Sequence, residues 1–230
     1  MKTKLLAPAL IALLLAACAP APEKRAALAT QLQAQVAAKS GNVDPRPSSF
    51  IVCHGHGCRL KNKVSLTAGE WSRIAAQFNP GGSSPKQERD NLRRAIGIME
   101  KIVGPKTDTA VDVAGTFDGA MSSGQLDCED EMLNTATYFT MMAEKGLIRR
   151  HRLSGRAHRG FFVTGWPHMA VQIEEVSSGK QFVLDSWFHD NGQPAEVVEL
   201  SRWRDGWRPA DSTPRAKQRT AEIRALRDKY

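Results

Sequence analysis

Gln125-Leu126-Asp127-Cys128-Glu129-Asp130-Glu131 is the stretch on which the fold turns. Asp127 stands where a helix N-cap belongs, acids fill the turn after it, and Met132, Leu133, Ala136, Phe139, Met142 and Ala143 follow at helical spacing. The pattern predicts a helix from Cys128 through Lys145, stopped by Gly146, with the apolar set as its packing face. Cys128 then lies at a helix N-terminus, where free N–H groups and the positive end of the macrodipole favour a thiolate, the nucleophilic form of sulfur. The alternative use of Cys128 is as a small buried hydrophobe.

Upstream, Thr67-Ala68-Gly69-Glu70 has capping-box form ahead of Trp71, Ile74, Ala75 and Phe78, and Ser84-Pro85-Lys86-Gln87 repeats it ahead of Leu92, Ile96, Met99, Ile102 and Val103. Two further helices are expected there. Downstream the period becomes strand-like, at Leu147 to Leu153, Gly160 to Thr164, His168 to Val176 and Gln181 to Trp187. Short turns such as Ser177-Ser178-Gly179-Lys180 indicate antiparallel pairing, so the fold class is α+β with helices gathered before the sheet. Pro214 to Tyr230 reads as a charged helix with few apolar anchors.

At the N-terminus, Lys2 and Lys4 precede an apolar run from Leu5 to Ala17 that ends in Leu15-Ala16-Ala17-Cys18. The run is short for a bilayer span, which needs about 20 apolar residues, and small residues before the cysteine are a processing signature. It resembles the lipobox of bacterial lipoproteins. The resemblance implies removal of residues 1–17, a lipidated Cys18, and a cell-envelope protein facing the periplasm. Ala19 rather than Asp after Cys18 points to the outer membrane, again by resemblance to a sorting pattern. Residues 18–49 read as a tether with an Ala/Gln-rich, helix-capable middle and a Pro-containing end.

Export permits disulfides, and Cys53 and Cys58 sit in two short apolar arms around a Gly-rich turn, Phe50-Ile51-Val52-Cys53-His54-Gly55-His56-Gly57-Cys58. A hairpin would bring them together as a bond. With His54 and His56 they could also ligate zinc, although their spacing fits no common zinc motif. The net charge of +8 over 230 residues, with 41% hydrophobic content, suits one globular domain. Arginines cluster at Arg149, Arg150, Arg152, Arg156 and Arg159 and again from Arg202 onward. No nucleic-acid motif accompanies them, so a nucleic-acid partner is not expected, and a solvated basic surface is the plain reading.

A cysteine nucleophile needs a base and a group to orient that base. Of the six histidines, His168 opens a strand directly after Gly165-Trp166-Pro167, while Asp185 ends the apolar strand Val183-Leu184-Asp185. A tight hairpin centred near Ser178 and Gly179 would set Asp185 across from about Gln172, so twist, a bulge or a wider loop must bring it to His168.

The order Asp127-Cys128-Glu129-Asp130 at a helix start, His168 at a strand start and Leu184-Asp185 at the end of the next strand resembles the bacterial transglutaminase-like cysteine proteinases, within the transglutaminase-like superfamily. The similarity spans roughly Trp71 to Trp187, within a domain taken as residues 50–212 ahead of the charged segment 213–230. It implies a papain-like α+β fold, with the Cys128 helix packed on an antiparallel sheet. It also implies Cys128 as nucleophile, His168 as general base and Asp185 as orienting acid. Some family members depend on calcium; this chain departs from them in its lipobox, its Cys53 and Cys58 pair and its Arg-rich insert.

Gln125 could donate an amide hydrogen to an oxyanion, with the Cys128 N–H as second donor. Asp127, Glu129 and Asp130 offer oxygen ligands of the kind calcium takes, although capping and dipole complementation are their simpler roles. The triad chemistry itself requires no cofactor. Two functions compete: a lipid-anchored envelope cysteine hydrolase, or transamidase, acting on peptide or isopeptide bonds in a protein or peptide substrate; and a catalytically silent module that binds an envelope partner.

Overall fold

The computed structural model describes residues 22–78, 84–115, 124–160 and 167–210. The signal segment, Cys18, Trp166, the charged segment 213–230 and most of the strand expected at Gly160 to Thr164 lie outside the described residues. In chain order the elements are α1 (Pro22–Ser40), β1 (Phe50–His54), β2 (Leu60–Val64), α2 (Ala68–Ala75), α3 (Pro85–Thr107), α4 (Cys128–Glu144), β3 (His151–Arg159), β4 (His168–Glu175), β5 (Gln181–Asp185), β6 (Glu196–Glu199) and α5 (Leu200–Arg204). The strands form an antiparallel pair β1-β2 and an antiparallel sheet in the order β3-β4-β5-β6, so the molecule is α+β.

Local sequence chemistry sets the helix starts. Thr67 and Glu70 cap α2 reciprocally, and the Ser84 hydroxyl accepts from the Gln87 amide at the head of α3, with Pro85 in its first turn. At α4 the Asp127 carboxylate accepts from the Glu129 and Asp130 amides, and Asp130 reaches back to the Asp127 amide. Gly146 follows the helix with φ of 70°, the left-handed conformation that suits a glycine stop.

The amphipathic reading of α4 falls short, because this helix is buried on nearly every side and not along one stripe. Its polar residues are tolerated there because each is bonded. Asn134 takes the Cys53 N–H and donates to the Cys53 carbonyl, both at 2.8 Å, and so extends β1 sideways onto the helix. Thr137 receives a bond from Asn42 at 3.1 Å, and Thr135 and Glu131 both meet the Ser186 hydroxyl. Helix α4 is the axis around which α1, β1 and the four-stranded sheet are assembled.

The segment read as a tether is, over Pro22–Ser40, a helix packed on the body. Leu32 and Val36 are buried in the same core as Leu92, Met99, Leu133 and Phe139. The folded body therefore begins well before residue 50. Contact with β3 is made at a bulge, where Gly155 has φ of 138° and a Cβ added to it would lie 3.0 Å from the Leu28 side chain. A weakly amphipathic Ala/Gln-rich sequence does not announce such docking; the glycine on the receiving strand permits it.

The strand reading needs two corrections. Strand β3 is one element from His151 to Arg159, so the expected start at Leu147 was early, and β6 was missed. Of the arginines read as an insert, Arg152, Arg156 and Arg159 lie in β3 and are tied down. Arg152 pairs with Glu174 at 2.6 Å, Arg156 donates to Gln35 at 3.0 Å, and Arg159 donates to the Trp203 and Trp207 carbonyls, both at 2.6 Å. One face of the sheet places Val171, Ile173 and Leu184 in the main core. The other places Ala157, Ala170, Val183 and Val198 in a second cluster with Trp187, Phe188, Trp203 and the Cys128 side chain.

Candidate active site

Cys128 is the first residue of α4, held there by the Asp127 cap, and it is a free, buried thiol 7% exposed. It abuts the start of β4, where the Met169 amide lies close enough to favour its ionised form. The expectation of a thiolate does not hold for the resting protein. Burial pushes the thiol up to about 12; the Met169 amide opposes this, and the negative charges of Asp127 and Asp185 reinforce it. A helix N-terminus is worth about 0.3–1 kcal/mol, less than one pKa step of about 1.36 kcal/mol, so it cannot offset the loss of water around the sulfur.

His168 is the first residue of β4, 4% exposed. One ring nitrogen, Nε2, lies 2.8 Å from Asp185 Oδ2. The other, Nδ1, is buried without a hydrogen-bond partner among the described residues. The register shows how the pair meets. Val171 opposes Leu184 and Gln172 opposes Val183, so extending the ladder sets Asp185 opposite Ala170, two residues nearer His168 than a tight hairpin would allow. The wider turn after Glu175 supplies that shift, and the remaining offset is a diagonal cross-strand pair on one sheet face, within reach of an imidazole.

The acid is itself held. The Trp203 indole donates to Asp185 Oδ2 at 2.8 Å, and the Trp187 amide donates to Oδ1 at 3.3 Å. The His168 ring is boxed by Trp187, Trp203 and Phe188, with centroids 4.5, 5.3 and 5.5 Å away. The Arg159 guanidinium stacks over Trp203 at 4.3 Å; burial lowers it to about 10, while the nearby Asp185 charge raises it. Trp187, Phe188, Trp203 and Arg159 were not singled out as site residues by the sequence. Only the Trp187-Phe188 pair, separated from Asp185 by Ser186, could have drawn notice, because Trp203 arrives from a helix beyond an intervening strand.

The other anticipated site residues have different employment. Gln125 donates its side-chain amide to the Val111 carbonyl at 2.9 Å, and its own carbonyl accepts from the Gly55 amide. Asp130 is fully buried and accepts from the His56 and Cys58 amides at 2.8 and 2.6 Å. Glu129 lies 3.3 Å from the Lys39 ammonium, and Asp127 caps the helix. The carboxylates considered for calcium thus face the protein's own N–H and ammonium groups, and no grouping of three or more metal-ligating side chains occurs among the described residues. The Cys53 and Cys58 sulfurs are 1.97 Å apart, a disulfide, which removes both from zinc ligation. His54 is turned to Asn62 and to the Gly124 amide.

No helix among the described residues is long and apolar enough to cross a membrane. Comparison of the chain with family models, with curated proteins and with solved structures finds no match.

Proposed function

We propose that this protein is a papain-like, transglutaminase-like cysteine hydrolase that cleaves a peptide or isopeptide bond through an acyl-enzyme, held in the bacterial cell envelope by a lipid on Cys18. The observation carrying this reading is the His168 ring: one nitrogen bonded to Asp185, the other unpartnered, with the ring packed on Trp187, Phe188 and Trp203 of the cluster that also includes Cys128. A buried imidazole nitrogen without a partner costs stability, and such an exception calls for a chemical use.

Because the sulfur rests as a thiol, the first step is general-base catalysis and not attack by a standing thiolate. As Cys128 Sγ bonds to the substrate carbonyl carbon, its proton passes to His168 Nδ1. The Asp185 carboxylate stabilises the imidazolium through Nε2–H. Collapse of the tetrahedral intermediate breaks the carbon–nitrogen bond and returns the proton to the leaving amine. Water then releases the acid by the same path; an amine in its place makes the reaction a transamidation. The Cys128 N–H remains an oxyanion donor candidate at the helix terminus, whereas Gln125 would have to leave Val111 to serve.

The depth of the thiol favours a second reading, a silent module that binds an envelope partner. Alkylation separates the two. Selective labelling of Cys128 by an iodoacetamide-type probe at neutral pH, lost in His168→Ala, supports the enzyme; labelling that is negligible until strongly alkaline pH and indifferent to His168 supports the silent module. Lipidation is tested by Cys18→Ser, which should stay unlipidated; normal lipid labelling of that variant would refute the anchor.

A further inference from the structure

The Gly-rich turn between Cys53 and Cys58 holds four consecutive residues of positive φ, a run that occurs nowhere else among the described residues. Gly55, His56, Gly57 and Cys58 have φ of 78°, 69°, 69° and 61°, four left-handed residues in succession, two of them bearing a Cβ. L-residues adopt this conformation only where something enforces it. The Cys53–Cys58 bond closes this run into a ring, and its His56 and Cys58 N–H groups converge on one acceptor. That acceptor is the Asp130 carboxyl group.

Asp130 stands two residues past Cys128, and the loop holds the other side of the nucleophile as well. The Gly55 amide donates to the Gln125 carbonyl at 2.8 Å, His54 Nδ1 accepts from the Gly124 amide at 3.2 Å, and Cys53 is gripped in both directions by Asn134. Residues 53–58 therefore clasp the chain before, at and after the turn that presents the thiol. Burial of both cysteines, at 0% and 5% exposed, makes this a lasting fixture once formed.

We propose that the disulfide-closed loop and Asp130 are positioning elements of the nucleophile, so that the thiol reaches its working geometry only after Cys53 and Cys58 are oxidised. This inference rests on the cysteine-hydrolase reading for its consequence in turnover, though not for its structural content. The redox step is thiol–disulfide exchange with a disulfide-bearing thiol oxidase: Cys53 and Cys58 lose two electrons and two protons, and the oxidant's disulfide becomes a dithiol. Activity is thereby tied to arrival in an oxidising compartment.

The test compares the full chain oxidised, reduced with dithiothreitol, and reoxidised, alongside Asp130→Asn with its disulfide intact. Two readouts are independent of substrate: amide hydrogen exchange over residues 124–131, and the pH profile of Cys128 alkylation followed by peptide mass mapping. Reduction should speed exchange in this segment about tenfold or more and move the alkylation profile toward that of an ordinary exposed thiol, with reoxidation restoring both. Asp130→Asn should reproduce the change without touching the sulfurs, and it decides the matter if the reduced protein unfolds. Unchanged exchange and an unchanged profile in Asp130→Asn would overturn the proposal. A hydrolase that turns over equally well reduced and oxidised would overturn it while leaving the catalytic reading intact. Conversely, a clamp that responds as described in a protein without turnover would fail only the catalytic reading.

Discussion

Cys128 carries two opposed influences that sequence and structure weigh differently. Its place at a helix start favours ionisation, but its burial dominates and holds it as a thiol up to about pH 12. In His168→Ala, alkylation of Cys128 should therefore climb steadily into strongly alkaline solution, whereas the intact protein should label at lower pH through imidazole assistance. Identical profiles would mean that the two side chains do not communicate. At Asp185, the indole of Trp203 supplies one of the two bonds to Oδ2. Trp203→Phe keeps a six-membered ring but removes the donor and part of a fully buried indole, and should cost at least about 1.5–3 kcal/mol, the range for a hydrogen bond to a charged group, read by urea titration. A change near zero would show the bond to be dispensable.

At the scale of elements, α4 is held by side chains that reach the backbone of its neighbours. Asn134 supplies both an acceptor and a donor to Cys53. Asn134→Leu leaves the Cys53 N–H and carbonyl buried without partners, and should destabilise by about 1–3 kcal/mol for each orphaned group, read from denaturant midpoints. Helix α1 depends on the bulge in β3. Gly155→Ala would place a Cβ against Leu28 in a backbone conformation that alanine resists. The expected result is loss of protection from proteolysis across α1, while the β4-β5 register stays unchanged; full protection of α1 would contradict that.

Across the whole molecule, Glu100, Asp112 and Glu131 form a buried acidic group. Burial, then the charge of Glu131, raise Glu100 and Asp112 well above the usual carboxylate range. Burial raises Glu131 itself to about 7, against the Ser186 hydroxyl that favours its ionised form. A carboxyl whose pKa is raised by folding stabilises the fold below its unfolded pKa, about 4.3 for Glu, and that contribution is lost as pH rises through the folded value. Glu131→Gln should therefore lose less stability than the parent protein between about pH 4 and pH 7, and its denaturation midpoint should rise relative to the parent's across that window. Glu88 works in the opposite sense, since bonds from His151 and from the Arg149 and Arg150 amides outweigh its burial and lower it. The difference between variant and parent cancels the Glu88 contribution and reports Glu131 together with its effect on Glu100 and Asp112. A gap that is constant with pH would show that Glu131 does not titrate there.

The helix starts at Thr67, Ser84 and Asp127, the paired cysteines 53 and 58, and the strands that begin at His168 and end at Asp185 were all legible in the sequence. Each depends on residues a few positions apart: a hydroxyl or carboxylate near the amides it caps, two sulfurs across one turn, an alternation two residues long. Tertiary structure alone decided which groups lost their water and which distant backbones met. It buried Cys128 against β4 and so reversed the ionisation that its helix position suggested; it seated α1 on Gly155, gave Asp130 to the His56 and Cys58 amides, and brought Trp203 to Asp185. Local pattern fixes backbone geometry because those forces act within a turn or two. Desolvation and long-range partnering are sums over neighbours that become adjacent only when the chain has folded.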